Sequence, residues 1–310
     1  MKYASLIVTF NRKEKLIGAL RSLLKQTVKP QKIFLIDNCS TDGTPDLLRK
    51  EKLLDNPLID YQRMDKNYGG SGGFYYGIKK ALDNTELFDY LSISDDDAFF
   101  EEDYFELIEK AADQHSECKA FCGTVLYEDG TIQTDHRRKV VNQKWLKELD
   151  VPVSQYRQDF YVDTFSFVGC VISKKILKTI GLPSKDYFIY YDDTEYSLRI
   201  DELTKILNVS DAKIIHKTPR KDINIINIGW KNYYEIRNQI LMRKAHSNWK
   251  LLNLYLLWHQ IKRDLDVLRI PRYKGVRRKA LYVYNQGFKD GMKGVHGKRS
   301  DFLPGKKIRY

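Results

Sequence analysis

The fold of this chain is decided by the stretch Tyr90-Leu91-Ser92-Ile93-Ser94-Asp95-Asp96-Asp97. A short apolar run of this kind predicts a buried β-strand, and three acidic residues follow it directly. Because alternate side chains of a strand share a face, we expect Asp95 and Asp97 to point the same way and Asp96 the opposite way. Two neighbouring carboxylates repel each other unless a cation lies beside them. The stretch therefore predicts a site for a hard divalent cation, with a solvated acidic turn as the simpler alternative.

Strand-like and helix-like segments alternate through residues 1–126. The predicted strands are residues 4–10, 32–37, 58–64 and 90–94, and the predicted helices are residues 13–25, 44–54 and 74–82. This order predicts an α/β fold with a mostly parallel sheet and helices on both of its faces. Ligands bind such sheets at the carboxyl ends of the strands, so the polar residues that follow each strand are expected to meet at one edge.

A glycine-rich segment, Asn67-Tyr68-Gly69-Gly70-Ser71-Gly72-Gly73, precedes the third predicted helix. No Gly-Lys-Ser/Thr follows it, and its spacing is not G-x-G-x-x-G, so it matches neither common phosphate-binding motif. Glycines ahead of a helix let the backbone approach a ligand closely and present free N–H groups. A flexible turn is the equal alternative.

The later part of the chain holds two further groups of interest. Asp192-Asp193-Thr194-Glu195 begins a predicted helix over residues 192–203, where the helix dipole favours acidic residues for structural reasons alone. The functional alternative is a general base. His216 ends a predicted strand over residues 212–216 and is either a third metal ligand or a polar strand end.

The remaining segments complete the predicted domain organisation. Residues 121–127 and 131–134 predict a hairpin, residues 136–158 a loop-rich insertion, and residues 174–180 a short helix. From Gly229 onward the sequence is helical and rich in aromatic residues. We therefore expect an α/β domain over residues 1–220 and a helical, basic region over residues 221–310.

Composition and charge limit the class of protein. A hydrophobic content of 42% and a charged content of 30% over 310 residues describe a folded chain rather than a disordered one. The four cysteines have no zinc-site spacing, and no signal-peptide cleavage site follows Met1, so a cytoplasmic protein is expected. The net charge is +12, and residues 271–310 carry +10 of it, from twelve Lys/Arg and two Asp. This basic segment predicts a local anionic partner.

Taken in order, these residues resemble family 2 inverting glycosyltransferases of the GT-A fold, over about residues 1–240. The resemblance is carried by Thr9-Phe10-Asn11-Arg12, residues 37–44, residues 67–74, the Asp triplet, Asp192-Asp193 and His216. The glycine-rich segment and the triplet are most similar to those of bacterial galactofuranosyltransferases. So is the Tyr-Tyr-x-x-Arg-Asn segment in residues 230–238, which rhamnosyltransferases share.

The resemblance implies a role for each matching residue. Asp193 is the implied catalytic base, and Asp95, Asp97 and His216 are the implied ligands of Mn²⁺ or Mg²⁺. The implied donor-binding residues are Thr9, Asn11, Arg12, Asp37, Asn67, Gly70, Asp96 and Arg237, with Asp37 on the uracil and Asp96 near the ribose. The implied acceptor-binding residues are Phe167, Gly169 and Asp192. Polymerising galactofuranosyltransferases carry a Trp-Trp pair where this chain has Phe167-Val168, so acceptor identity and processivity stay open.

The activity implied is metal-dependent transfer of galactofuranose from UDP-galactofuranose to a lipid-linked glycan in bacterial cell-surface polysaccharide synthesis. The alternatives are a rhamnosyl- or other hexosyltransferase of the same fold and, from a different class, a non-catalytic glycan-binding scaffold, which would not need the carboxylates. A lipid-linked acceptor implies a peripheral position on the inner face of the cell membrane, where the basic C-terminal region meets anionic lipid. We expect no nucleic-acid partner, and an oligomer is left open.

Overall fold

The structure, a computed structural model, describes residues 1–84, 88–220 and 226–310. The chain divides into two units. Unit 1 comprises Met1–Lys139, Leu149–Ser184 and Asp193–Thr218, and unit 2 comprises Val140–Glu148, Lys185–Asp192 and Pro219–Tyr310. The domain boundary was expected between residues 220 and 221, and residues 221–225 lie outside the described residues.

Strands and helices alternate in unit 1, and helices predominate in unit 2. The strands are β1 Tyr3–Thr9, β2 Ile33–Asp37, β3 Ile59–Arg63, β4 Tyr90–Asp95, β5 Ala98–Phe100, β6 Cys118–Leu126, β7 Arg137–Asn142, β8 Lys147–Asp150, β9 Phe160–Val162, β10 Thr164–Phe165, β11 Val168–Ser173 and β12 Lys205–His216. The helices are α1 Lys13–Leu24, α2 Thr44–Lys50, α3 Gly69–Asp83, α4 Tyr104–Gln114, α5 Lys174–Ile180, α6 Asp192–Asp201, α7 Trp230–His246, α8 Leu252–Arg269 and α9 Arg277–Met292.

The main sheet has the strand order β3-β2-β1-β4-β11-β6-β12-β5, and β9 pairs with β12. Strand β1 is parallel to β2 and β4, and β2 is parallel to β3. Because β11 is antiparallel to both β4 and β6, and β12 is parallel to β6, strands β6 and β12 run in the same direction as β1. The sheet is mostly parallel, as predicted, and the carboxyl ends of these strands lie at one edge.

Both faces of the main sheet are covered by helices. Tyr3 and Ile7 of β1 belong to a hydrophobic cluster with residues of α1 and α4. Leu6 and Val8, which alternate with them, belong to a second cluster with residues of α3, α5 and α6. Strand β1 is buried along its whole length, as expected for a parallel strand between two layers of helix.

Helix α3 begins earlier than predicted. We expected it at residue 74, but it starts at Gly69, so the glycine-rich segment forms its first turns instead of a loop. A Cβ at Gly73 would lie 2.4 Å from Cγ1 of Val8, so close packing on β1 requires the glycine. Gly69 has φ +77°, a conformation that favours glycine. Glycine is a poor helix former, and tertiary packing overrides that preference here.

Residues 136–158 are also more regular than the predicted loop-rich insertion. Strands β7 and β8 join β10 in a separate three-stranded sheet. The sequence did not predict these strands, because their residues are mostly polar. Their side chains have partners that only the fold provides, as when Nζ of Lys139 donates to Oδ1 of Asp163 at 2.8 Å. The second strand of the predicted hairpin is reduced to one bridge between Leu126 and Ile132.

Unit 2 has its own hydrophobic cluster, which includes residues of α7, α8 and α9. Phe302 is fully buried and stacks on Tyr233 at 4.1 Å between ring centroids. A Cβ at Gly287 of α9 would lie 2.7 Å from the carbonyl oxygen of Tyr233, so α9 and α7 are in close contact. The basic segment 271–310 is therefore an integral part of this core.

Within the described ranges, none of the helices is both long enough and apolar enough to cross a bilayer.

Gly73→Ala places a methyl group against Val8 and should lower the free energy of unfolding by about 1–3 kcal/mol. Gly70→Ala is the matched control, because no atom lies within 4 Å of the added Cβ in the same helix. Helix propensity alone then predicts a gain of up to about 1 kcal/mol. Urea denaturation followed by circular dichroism measures both changes. Equal destabilisation in the two variants would contradict the close packing of α3 on β1.

Candidate active site

The carboxyl edge of the main sheet gathers polar residues that follow β1, β2 and β4. The Thr9 hydroxyl donates a hydrogen bond to Oδ2 of Asp96 at 2.6 Å, which joins the ends of β1 and β4. Nδ2 of Asn38, just after β2, donates to the carbonyl oxygen of Gly69 at 2.7 Å. The start of α3 is thereby attached to the same edge. The structure brings these segments together as the strand order predicts.

Asn11 and Asn67, both implied donor-binding residues, shape the loops of this edge. Asn11 has φ +53°, and its Oδ1 accepts a hydrogen bond from the backbone N–H of Thr41 at 2.7 Å. Oδ1 of Asn67 accepts from the backbone N–H of Gly69 at 2.7 Å. Gly70, the next residue, has open space where a side chain would be. The local contacts of these residues support the loops, and their contact with a donor stays a prediction.

Asp37, the implied reader of uracil, is fully buried at the end of β2. Its Oδ1 accepts a hydrogen bond from the backbone N–H of Ser40 at 2.8 Å, and its Oδ2 accepts one from the Tyr61 hydroxyl at 2.8 Å. Burial and this hydrogen bond raise the pKa of Tyr61. Tyr61 was not identified from sequence, and the contact of Asp37 with uracil stays a prediction.

The Asp triplet divides as strand alternation predicts. Asp95 ends β4 and Asp97 follows in the turn before β5, and together with His216 they offer three ligand atoms within 4.8 Å of one another. Asp96 instead accepts a hydrogen bond from Thr9, and Arg12 donates to both Asp96 and Asp97. His216 reaches the group because β12 pairs with β5, where it lies opposite Ala98.

Negative charge is concentrated at this point and only partly neutralised. Burial, together with the charges of Asp97 and Asp96, raises the pKa of Asp95 well above its ordinary value. Burial also raises the pKa of Asp96 to about 6, although Arg12 acts against the shift. Burial would raise the pKa of Asp97 as well, but His216, Arg12 and Lys15 lower it. A group of carboxylates in this state fits a divalent cation.

The orientation of His216 is fixed by Gln133, a buried residue that sequence reasoning missed. Nε2 of Gln133 donates to the carbonyl oxygens of Leu126 and His216, which leaves Oε1 to accept from Nδ1 of His216 at 3.1 Å. In a neutral imidazole, Nε2 then carries a lone pair, and it lies 3.1 Å from Oδ1 of Asp97. The lone pairs of His216 Nε2 and Asp97 Oδ1 face each other and repel unless a proton or a metal ion binds to them. The three residues therefore fit Mn²⁺ or Mg²⁺.

Asp193, the implied base, is the second residue of α6 and is half-buried. Its Oδ1 accepts a hydrogen bond from the backbone N–H of Thr194 at 2.6 Å. Burial raises the pKa of Asp193, although Arg138 and Thr194 act against the shift. The charge of Asp193 also contributes to the raised pKa of Asp95, so these two carboxylates lie within electrostatic range of each other. Arg138, which donates to the Thr194 hydroxyl at 2.9 Å, was not identified from sequence.

Phe167 and Gly169, two implied acceptor-binding residues, are packed inside unit 1. Phe167 is 2% exposed, and its ring lies 4.7 Å from that of Phe74 and 6.0 Å from that of Tyr196. Gly169 has φ +70°, and a Cβ there would overlap the side chain of Ile214. These residues shape the core, and their contact with an acceptor stays a prediction.

Asp192 and Arg237 belong to unit 2. Asp192 is buried and is the first residue of α6. Arg237 is fully buried, and its Nη2 donates to the carbonyl oxygen of Tyr187 at 3.0 Å. Arg237 thus supports the backbone of the segment before α6. The roles of Asp192 in acceptor binding and of Arg237 in donor binding stay predictions.

The same segment, residues 187–191, is also held by Asn238. Nδ2 of Asn238 donates to the carbonyl oxygens of Tyr187, Ile189 and Tyr190 at distances of 2.8–3.0 Å. Phe188, Tyr190 and Tyr191 all have φ +67°, which is unfavourable for aromatic residues. The asparagine amide therefore stabilises a strained backbone that leads directly into α6.

The sequence model of glycosyl transferase family 2 matches residues 5–181, which is more than half of the chain. The chain belongs to glycosyl transferase family 2. It is thus a glycosyltransferase, and the predicted family is confirmed.

Two curated glycosyltransferases are similar to this family 2 chain. The dTDP-rhamnosyl transferase RfbF of Shigella flexneri is 23% identical over 252 residues, which cover 78% of this chain and 80% of RfbF. The galactofuranosyltransferase GlfT2 of Mycobacterium tuberculosis is 25% identical over 268 residues, which cover 77% of this chain. The match spans 41% of GlfT2, less than half of its length.

Solved structures of glycosyltransferases share the fold of this family 2 enzyme. The crystal structure of GalNAc-T7 with UDP, GalNAc and Mn²⁺ has a TM-score of 0.62 at 14% identity, over 95% of this chain and 56% of that one. The crystal structure of S. aureus TarS 1-349 in complex with UDP-GlcNAc has a TM-score of 0.57 at 14% identity, over 99% and 98%. The predicted GT-A fold is confirmed.

We expect Asp97→Asn to abolish measurable Mn²⁺ binding in the presence of UDP, because the amide removes one anionic ligand from the Asp95, Asp97 and His216 group. Gln133→Ala should weaken binding about 10- to 100-fold, since it frees the imidazole that Gln133 orients. Isothermal titration calorimetry measures both. Asp46→Asn, an exposed carboxylate on α2, is the control and should bind as the parent does. Unchanged Mn²⁺ affinity in Asp97→Asn would contradict the metal assignment.

Proposed function

We propose that this glycosyltransferase transfers galactofuranose, with inversion at the anomeric carbon, from UDP-galactofuranose to a lipid-linked glycan of the bacterial cell surface. The observation that carries the proposal is the group of Asp95, Asp97 and His216 at the carboxyl edge of the sheet, with Asp193 in electrostatic range. Membership of the family supports sugar transfer. The GalNAc-T7 structure contains UDP and the TarS structure contains UDP-GlcNAc, which supports a nucleotide-linked donor.

The donor diphosphate would be held at this edge by charge. Asp95, Asp97 and His216 would hold Mn²⁺ or Mg²⁺, which, when bound, offsets the negative charge that develops on the leaving diphosphate. Arg12 contacts Asp97 at 2.8 Å and keeps 47% of its side chain exposed, so its guanidinium can also face a phosphate. Asp96, anchored by Thr9, would lie beside the ribose.

The acceptor hydroxyl needs a base on the face of the sugar opposite the leaving group. Asp193 suits this role, because burial raises the pKa of its carboxyl and makes the carboxylate a stronger base than an exposed one. A single displacement of the diphosphate inverts the configuration and needs no covalent nucleophile. Asp192 would contact the acceptor from the adjacent position.

Transfer of rhamnose is the second candidate function. The observation in its favour is that the match to the dTDP-rhamnosyl transferase covers 80% of that protein, whereas the match to the galactofuranosyltransferase covers 41% of that one. The glycine-rich segment and the Asp triplet favour galactofuranose. Uracil and thymine differ by one methyl group, so the base alone would separate the two donors only about 10- to 200-fold.

The donor is tested by nucleotide release from a panel of UDP- and dTDP-sugars, with and without EDTA. We expect release from UDP-galactofuranose that requires Mn²⁺ or Mg²⁺ and that rises when a lipid-linked glycan is added. The Asp193→Asn variant serves as the blank for donor hydrolysis. Turnover of dTDP-rhamnose with UDP-galactofuranose inert would replace the first candidate by the second. Full activity in excess EDTA would rule out the metal.

Asp193→Asn keeps the shape of the side chain and removes its basicity, so turnover should fall by about 10²-fold or more while donor binding survives. In the parent enzyme, the raised pKa of Asp193 should place the acid limb of the turnover profile above the ordinary carboxylate range, because turnover is lost once the base is protonated. Steady-state kinetics against pH measures both effects. A mild Asp193→Asn effect with a crippling Asp192→Asn effect would assign the base to the neighbour.

A lipid-linked acceptor would bring the enzyme to the cytoplasmic face of the membrane. The basic residues of unit 2 support this part of the proposal, since residues 271–310 carry a net charge of +10. Each Lys or Arg close to an anionic leaflet contributes about 1 kcal/mol of attraction, which salt screens.

A further inference from the structure

Helix α8 has a second apolar face that the core of unit 2 leaves exposed. Leu252, Leu256 and Val267 face inward and belong to the hydrophobic cluster of that unit. Six large apolar side chains face outward, with exposed fractions between 40% and 64%. We call them the outer stripe: Leu254, Leu257, Trp258, Ile261, Leu265 and Leu268.

The spacing of these residues makes the stripe continuous. At about 100° per residue, all six fall within an arc of about 100°, and no polar residue of α8 falls inside that arc. From Leu254 to Leu268 the stripe is about 21 Å long at 1.5 Å per residue. Single exposed apolar residues are ordinary on protein surfaces, but a continuous stripe indicates an interaction site.

The margins of the stripe indicate the chemistry of its partner. Lys262 lies at one margin, with Nζ 5.8 Å from the ring of Trp258. Arg269 lies at the same margin at the end of α8, and Lys250 and Arg272 lie just beyond the two ends of the helix, all of them exposed. Asp264, at the other margin, is engaged by the side chains of Gln260 and Asn285. Asp266 is partly buried. Exposed charge beside the stripe is therefore mainly positive.

We propose that the outer stripe of α8 inserts into the interfacial layer of an anionic phospholipid bilayer, so that α8 lies in the plane of the membrane. Apolar side chains with an aromatic residue and a cationic margin match the layered chemistry of acyl chains and anionic headgroups. The inference rests on the proposed function, since a lipid-linked acceptor is presented at that surface. It adds an inserting element to the electrostatic attraction of residues 271–310.

The test is co-sedimentation of the full chain with vesicles of phosphatidylglycerol and phosphatidylcholine in a 3:7 ratio. The triple variant Leu257→Gln, Trp258→Gln, Ile261→Gln should lose at least tenfold in its partition coefficient. The control Val153→Gln, Leu203→Gln changes two equally exposed apolar residues of unit 1 and should bind as the parent does. Circular dichroism checks that both variants are folded. Equal vesicle binding by triple variant and parent would refute insertion.

Two further measurements separate insertion from its rivals. Trp258 emission should shift to shorter wavelength on adding vesicles and be quenched by brominated acyl chains, and Trp258→Phe should lose that signal. Light scattering should give the same mass for parent and triple variant. A parent dimer that the triple variant cannot form, together with unchanged vesicle binding, would assign the stripe to a second copy of the chain.

Failure of insertion and failure of the proposed donor give different results. Nucleotide release is measured without vesicles, so a wrong donor leaves UDP-galactofuranose inert in parent and triple variant alike while vesicle binding is still lost in the triple variant. A wrong insertion leaves release intact and vesicle binding unchanged in all variants.

Discussion

Carboxylates that lie close together in a buried place repel one another. Several residues at the carboxyl edge of the main sheet offset that repulsion. Asp95 ends β4, and Asp96 and Asp97, which follow it, are buried. Asp193 adds further negative charge nearby. Arg12, Lys15 and His216 offset part of this charge and lower the pKa of Asp97. The pKa of Asp95 nevertheless stays well above its ordinary value. This excess of negative charge at the end of the sheet attracts a divalent cation, and the proposed cation would in turn offset the charge of a diphosphate.

The order of the strands decides which residues take part. Asp95 and Asp97 come from the end of β4, in the middle of the sheet, whereas His216 comes from the end of β12. The pairing of β5 with β12 closes the gap, since β5 begins directly after the triplet. Gln133 then fixes the imidazole from a segment that belongs to neither strand. The site is thus assembled by long-range pairing, and its precision depends on the sheet.

Local patterns in the sequence predicted part of this arrangement. Alternation along β4 predicts that Asp95 and Asp97 share a side, and the βαβ rhythm predicts the common edge. Gln133 left no signal, because a single glutamine in an irregular segment acquires its function only from the groups it meets in the fold. The start of α3 was predicted wrongly, because the low helix propensity of glycine favours a loop there. The close packing of Gly73 on Val8 explains why these glycines are helical in the fold.

The C-terminal region shows a similar limit. Its helices and its positive charge are readable from the residues alone. Which face of α8 turns outward depends on how α7 and α9 cover the other, and that is a property of the packed unit.

The bonds from Asn238 to residues 187–190 have a consequence for how this enzyme can vary. Three left-handed aromatic residues store strain of order 1–3 kcal/mol each, and the backbone that carries it runs without a break into the helix of the proposed base. A change at Asn238 would remove the three hydrogen bonds that its side-chain amide donates to that backbone. Arg237 and Asn238 of α7 are thus tied by hydrogen bonds to a segment 48–51 residues earlier in the chain, so a substitution at either residue would destabilise the backbone that precedes α6.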